Sequence, residues 1–188
     1  MNAAFLRHLA VLTLANPAEA ARRLLTSVPG RDVLWTALAL VVVLNALSQS
    51  LSTLVFPALD PSLDMAFEPV VQSLATSAGA VLLGIFAFHF VGRMLGGTGS
   101  LDGMMLLMVW LQFLQILGQL IIFVMVMVAP TMFLILVLGM SLYSLYISLH
   151  FINQAHHFDS LGKSFVVILI SGLLAIPFVL LMTPSGPV

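Results

Sequence analysis

The chain has 188 residues, of which 61% are hydrophobic and only 7% are charged, and its net charge is −1. Soluble domains carry about 25% charged residues, and a soluble chain this short could not bury so much apolar surface in one core. The composition therefore predicts an integral membrane protein. It excludes soluble enzymes, nucleic-acid readers and, because there is no cysteine, disulfide scaffolds and thiolate chemistry.

The first 31 residues are predicted to form short amphipathic helices at the cytoplasmic face of the membrane. The apolar run 3–15 contains Arg7 and His8, whereas a signal peptide carries its positive charge before its apolar region. Asn16, Pro17 and Glu19 occupy N-cap, N1 and N3 positions that favour the start of a second helix. Residues 1–31 are thus expected to be interfacial.

Residues 32–188 are predicted to form a five-span transmembrane bundle, which makes the fold class all-α and polytopic. A membrane-spanning helix needs about 20 predominantly apolar residues. Five stretches without Asp, Glu, Lys or Arg meet that length: 33–56, 70–92, 103–128, 131–154 and 164–183. Pro130 divides the third stretch from the fourth, because proline ends or kinks a helix.

The basic residues predict the orientation. All six lie on one side of a five-span arrangement: Arg7, Arg22, Arg23, Arg31, Arg93 and Lys163. The loop on the other side carries Asp60, Asp64 and Glu68. By the positive-inside rule, the N-terminus is predicted to be cytoplasmic and the C-terminus outside.

Polar side chains recur at helical spacing within three spans. They are Asn45 and Gln49 in the first, Gln112, Gln115 and Gln119 in the third, and Tyr146, His150 and Asn153 in the fourth. Such groups face the bundle or a wet cavity. Either they hydrogen-bond one another across the bundle, or they line a hydrated path for a small solute or a lipid headgroup.

His150 and His157 are weak candidates for metal ligands, because they lie two turns apart on one face of the fourth span. A metal site needs three or four ligands, and the spans contain no carboxylate. We therefore expect structural or interfacial histidines, with no metal, no cofactor and no catalytic residue. A metal-dependent membrane enzyme is the enzymatic alternative.

The loop between the second and third spans is rich in glycine. Its candidate functional residues are Arg93, Gly96, Gly97, Gly99 and Ser100. No Lys follows the glycines, so this is not a Walker loop. We expect a tight turn in which Ser100 caps the third span and Arg93 is placed to meet a lipid phosphate.

The Gly-Gly-x-Gly-Ser loop after an Arg-ended second span, the Asn16-Pro17-x-Glu19-Ala20 helix start and the five spans resemble the Yip family of small membrane proteins. Eukaryotic relatives interact with prenylated Ypt/Rab GTPases and serve vesicle traffic, whereas many bacterial relatives have no assigned activity. This chain lacks the Asp-Leu-Tyr-Gly-Pro motif before the first span. The resemblance implies a bacterial-type member in the plasma (inner) membrane.

Together these features predict a non-enzymatic membrane protein that binds a partner protein or organises lipid. Its expected partners are membrane lipid and a membrane-protein partner or a second copy of the chain, with no nucleic acid. The alternative function is transport of a small solute or lipid along the polar stripes of spans one and three.

The charge distribution gives a first testable prediction. Reporter domains fused at Asp64 and at the C-terminus should both report an outside location, because every basic residue lies on the opposite side of the five spans. A fusion after Lys163 serves as the control and should report the cytoplasm. A cytoplasmic C-terminus would show that one of the five spans does not cross.

Overall fold

The computed structural model describes residues 3–55 and 70–182, and all regular secondary structure there is helical. The elements in chain order are α1 (Ala3–Ala15), α2 (Pro17–Leu25), α3 (Arg31–Val55), α4 (Val70–Met94), α5 (Leu101–Val128), a 3₁₀ turn (Pro130–Met132), α6 (Phe133–His156) and α7 (Leu161–Met182). Helices α3 to α7 are long and apolar enough to cross a membrane. The predicted all-α fold with five transmembrane helices and short N-terminal helices is confirmed.

The helix ends lie within three residues of the five predicted spans. Ala129 caps the C-terminal end of α5, and its N–H donates to the carbonyl of Met125. Pro130 is the next residue. Since proline has no N–H to continue the helical ladder, α5 stops here and the chain turns into α6. The predicted acidic loop with Asp60, Asp64 and Glu68 lies outside the described residues.

The long helices pack through two buried clusters, one between α3, α4 and α5 and one, formed by Val91, Ile152, Phe158 and Val167, between α4, α7 and the end of α6. Helix α3 contacts α4 and α5, α5 contacts α6, and α7 contacts α4 and α6. The buried side chains between α3, α4 and α5 are Leu34, Leu38, Val41, Val81, Ile85, Met105, Val109 and Ile116. Many large apolar side chains on the outer faces are exposed, as suits a bundle surrounded by lipid.

Helices α1 and α2 pack against α5 and α6. Asn16 caps α2 by accepting a hydrogen bond at Oδ1 from the Glu19 N–H (3.1 Å), which is the helix start that the sequence predicts. A buried cluster joins Leu9, Ala20 and Leu24 to side chains of α5 and α6: Met104, Leu107, Trp110, Leu111, Ile147, Phe151 and Ala155. The N-terminal helices are therefore part of the bundle's packing, and their location at the membrane surface stays a prediction.

A buried hydrogen bond fixes α1 on α5. The indole Nε1 of Trp110 donates to Oγ1 of Thr13 (3.0 Å), and that hydroxyl donates in turn to the carbonyl of Leu9 (2.8 Å). Thr13 is fully buried. Tyr143 of α6 donates to the carbonyl of Leu14. Trp110 lies nine residues into α5, so the contact is about 13 Å along that helix.

The exposed face of α2 carries a charge cluster. Glu19 accepts hydrogen bonds from Arg22 (2.9 Å) and Arg23 (2.9 Å) one turn along the helix. The guanidinium groups of Arg23 and then Arg22 hold the pKa of the Glu19 carboxyl below its usual value. Glu19 lies in the first turn of α2, where its negative charge also suits the helix dipole.

Thr13→Val should lower the free energy of unfolding by about 1 to 3 kcal/mol, because it leaves the buried indole N–H of Trp110 without an acceptor. The measurement is thermal unfolding of the purified chain in detergent. Thr36→Val is the matched control: the Thr36 hydroxyl donates only to the Asp32 carbonyl on an exposed face of α3, so its loss should matter little. Equal destabilisation by both variants would contradict the role assigned to Thr13.

Candidate functional site

One end of the bundle gathers the basic residues, and we call it the basic end. It contains the start of α3, the α4–α5 turn (residues 95–100), the start of α5 and the α6–α7 connection. Arg31 donates to Asp102 (3.2 Å), which joins the start of α3 to the start of α5. Thr98 of the turn donates its N–H to the His156 carbonyl (3.1 Å), which joins the turn to the end of α6.

The α4–α5 turn closes around the imidazole of His156, which is only 1% exposed. A Cβ added at Gly97 would lie 2.5 Å from Nδ1 of His156, and one at Gly99 would lie 2.9 Å from the same atom. A Cβ at Gly92 would overlap the ring. These three positions hold glycine because the backbone lies against the imidazole, leaving no room for a side chain.

The opposite ring nitrogen of His156 anchors it to α4. Nε2 lies 3.1 Å from the carbonyl oxygen of Phe88. A carbonyl can only accept a hydrogen bond, so Nε2 carries the hydrogen and Nδ1 of the neutral ring is a bare acceptor. Nδ1 is buried and has no hydrogen-bond partner among the described residues. His156 thus holds the end of α6 against α4 through Nε2. The rest of its ring packs against Gly92, Gly97 and Gly99, which we call the glycine cradle.

The turn has the cap that the sequence predicts. Ser100 precedes α5, and its Oγ accepts a hydrogen bond from the Gly103 N–H (3.1 Å). Gly96 has φ +87°, in the left-handed region that favours glycine. His157 ends α6 with φ 54°, and its Nδ1 lies 3.2 Å from the Thr98 hydroxyl. The ends of α4, α5 and α6 are therefore held together by the backbone of one short loop.

Two exposed cations lie beside the joint, by which we mean the α4–α5 turn and the His156 ring that packs against it. Arg93 is exposed and makes no ion pair within the described part of the chain. Lys163 is exposed and lies with Nζ 5.7 Å from the ring centroid of Phe158. A guanidinium and an ammonium presented in this way can bind phosphate groups at a membrane surface.

The candidate residues of span four do not form one site. His150 lies against Tyr146, with 4.7 Å between ring centroids, whereas His157 contacts Thr98. Seven residues of helix separate the two histidines by about 10 Å along the axis. The described residues contain no group of three or more His, Asp or Glu side chains that could hold a metal. Asn153 has a buried Oδ1 without a hydrogen-bond partner among them.

Three of the polar candidates on α3 and α5 form hydrogen bonds to a neighbouring helix. Asn45 of α3 donates to Oε1 of Gln112 on α5 (3.1 Å). Gln115 of α5 donates to the Ser144 hydroxyl on α6 (2.7 Å). These bonds tie α3 to α5 and α5 to α6, as the packing alternative expects.

The remaining two glutamines, Gln49 and Gln119, are exposed and lie at the wall of a cavity of about 510 Å³ between α3, α5 and α6. The polar lining is Ser48, Gln49, Gln115, Gln119, Ser141 and Ser144. The apolar lining is Ile122, Phe123, Phe133, Val137 and Met140. Its volume falls within the usual range for small-molecule sites. Gln49 of span one and Gln115 and Gln119 of span three thus line one cavity, while Asn45 and Gln112 bond to each other outside it.

The sequence alone does not predict what His156, Trp110 or the serines of the cavity contact. The spacing of Gly92, Gly97 and Gly99 signals that something packs closely against the turn, but not that the partner lies nearly 60 residues later in the chain. Likewise, helical periodicity placed the glutamines on common faces but not the opposing hydroxyls of α6.

Comparison with known proteins gives one family. A family model described as "Yip1 domain" matches residues 11–182, which is most of the chain. No curated protein matches the chain, and no solved structure matches it.

Gly97→Ala should lower the free energy of unfolding by about 1 to 3 kcal/mol, since the new methyl group must displace the His156 ring. His156→Ala should also cost stability, because it removes the contact with the Phe88 carbonyl. The double variant should lose less than the sum of the two single losses, because without the ring the methyl group meets no overlap. Thermal unfolding of the single and double variants in detergent measures both effects. Gly139→Ala is the control, as nothing lies within 4 Å of its Cβ position and alanine favours a helix. Equal stability of Gly97→Ala and Gly139→Ala would contradict the cradle.

Proposed function

This chain belongs to the Yip1-domain family, and on that premise we propose a non-enzymatic membrane protein whose basic end organises anionic lipid or binds a partner protein. In this proposal the N-terminus and the basic end face the cytoplasm of a bacterial-type cell, the C-terminus lies outside, and the membrane is the plasma (inner) membrane. The positive-inside distribution of the six basic residues supports that orientation.

The observation that carries the proposal is the pair of exposed cations, Arg93 and Lys163, beside the joint formed by His156 and the α4–α5 turn. The turn holds the end of α4, which carries Arg93, and Lys163 lies over Phe158 at the end of α6. Anionic headgroups attract each basic residue near the membrane surface by about 1 kcal/mol. A protein partner with acidic or phosphorylated groups would use the same charges.

The N-terminal helices extend this surface. Phe5, Val11 and Leu14 are exposed on α1, while Arg22 and Arg23 are exposed on α2. Apolar side chains next to arginines are typical of helices that bind a membrane surface or a partner helix. A second copy of the chain is one such partner.

The non-enzymatic part of the proposal rests on how the polar side chains are used. Thr13, Asn45 and Gln115 each take part in a hydrogen bond between helices. His156 packs in a cradle of glycines, and His150 and His157 lie apart from one another. These polar groups therefore stabilise the packing of the helices, and none of them is paired as a nucleophile with a base.

Transport of a small solute or lipid is the second candidate function, and the cavity between α3, α5 and α6 favours it. A transporter needs a polar site within the membrane that a ligand can enter, and Gln49, Gln115 and Gln119 supply its hydrogen-bonding groups. Movement of a ligand between the two sides of a vesicle would distinguish transport from binding alone.

The test of the proposed function is neutralisation of both cations. Arg93→Gln with Lys163→Gln should reduce co-purifying anionic lipid or partner protein about fivefold for each charge removed. Native mass spectrometry of the chain in mild detergent measures both. Arg22→Gln is the control, because Arg22 is already paired with Glu19 and its loss should have a smaller effect. Unchanged amounts of both lipid and protein in the double variant would overturn the proposal.

A further inference from the structure

We propose that the cavity between α3, α5 and α6 binds the headgroup of an uncharged lipid, an amphiphile whose polar group carries hydroxyls or amides. This site is separate from the basic end and does not depend on the function proposed there. Four features of the cavity support the proposal: its hydrogen-bonding groups, the uncharged side chains of its described lining, its depth in the bundle and its apolar wall.

The unmatched amides indicate that a polar ligand belongs in the cavity. Gln49 and Gln119 lie within membrane-spanning segments and line the cavity, and neither side chain hydrogen-bonds to another described residue. Each amide offers two donor hydrogens and an acceptor oxygen. Hydrocarbon satisfies none of them, and leaving them unpaired is costly. A ligand with hydroxyl or amide groups meets this requirement at both glutamines.

The absence of charge on the lining restricts the class of ligand. Among the described residues that line the cavity, every polar group is an amide or a hydroxyl, and none is Asp, Glu, Lys or Arg. Binding a phosphate or an ammonium there would remove a charge from water without providing an opposite charge. Uncharged headgroups do not carry that cost.

The depth of the cavity in the membrane also favours an uncharged headgroup. Helix α5 has 28 residues and is about 42 Å long, so it exceeds the hydrocarbon core. Gln115 and Gln119 lie 13 and 9 residues before its end at Val128, about 20 and 14 Å from that end. The hydrocarbon core of a bilayer is about 30 Å thick. A ligand at this level has its polar group below the headgroup layer of the nearer surface, where a charged headgroup is strongly disfavoured.

The apolar wall accounts for the lipid part of the ligand. Ile122, Phe123 and Phe133 lie beside the polar groups and can contact methylene groups next to a headgroup. A volume of about 510 Å³ is typical of a site for one small ligand rather than for two whole acyl chains. The chains would therefore leave through the open side of the cavity into the surrounding lipid.

The test uses the purified full chain in vesicles doped with a photoactivatable diacylglycerol, whose polar group is an uncharged hydroxyl. Cross-linked peptides identify the site, and the yield measures occupancy. We expect cross-links on α5 and α6. Gln49→Leu with Gln119→Leu should reduce the yield about fivefold or more, because the hydroxyl loses its hydrogen bonds. Ser141→Phe, which fills the cavity, should do the same.

Gln154→Leu is the matched control, since it makes the same substitution on α6 outside the cavity, and it should leave the yield unchanged. Thermal unfolding checks that each variant is folded. Phosphatidic acid with the same acyl chains should label weakly, and free glycerol in excess should not compete. Equal labelling by phosphatidic acid, competition by glycerol, or full labelling of both folded cavity variants would overturn the proposal.

Discussion

Hydrocarbon can neither donate nor accept a hydrogen bond, and this constraint governs the placement of polar groups throughout the bundle. The backbone meets it by forming helices. Side chains meet it by pairing between helices, as Trp110 does with Thr13, Asn45 with Gln112 and Gln115 with Ser144. Each pair joins two different helices, so satisfying the polar groups also determines which helices are neighbours. Several polar atoms have no such partner among the described residues, such as Oδ1 of Asn153 and Nδ1 of His156. Gln49 and Gln119 also lack one, and they differ in lining a cavity that a ligand could enter.

Close packing supplies the rest of the association energy, because lipid tails are as apolar as the helices they surround. Small residues let backbones approach closely enough for dispersion contacts to accumulate. The turn residues Gly97 and Gly99 do this against His156, and Gly79 of α4 does it against the Phe178 ring of α7. In both places a methyl group would overlap the partner. The bundle is thus specified at a few positions by the absence of a side chain.

The sequence predicts the helices well and their mutual packing only in part. Span lengths, Pro130 and the caps at Asn16 and Ser100 are local signals, and each acts within a few residues of where it stands. The contact between Thr13 and Trp110, by contrast, joins residues 97 positions apart. No local pattern identifies such a partner. The same holds for the serines of α6 that face the glutamines of α5, because periodicity shows which residues share a face but not what that face meets.

The sequence distance between Thr13 and Trp110 has a consequence for how the chain is made. Synthesis proceeds at about 5 to 20 residues per second, so α1 emerges about 5 to 20 s before the indole to which it binds. During that interval its apolar side chains have no partner on α5 or α6, and the Thr13 hydroxyl is already satisfied by the Leu9 carbonyl within α1. The internal bond at Thr13 therefore leaves no unpaired hydroxyl hydrogen on the first helix during the interval before the third span is made.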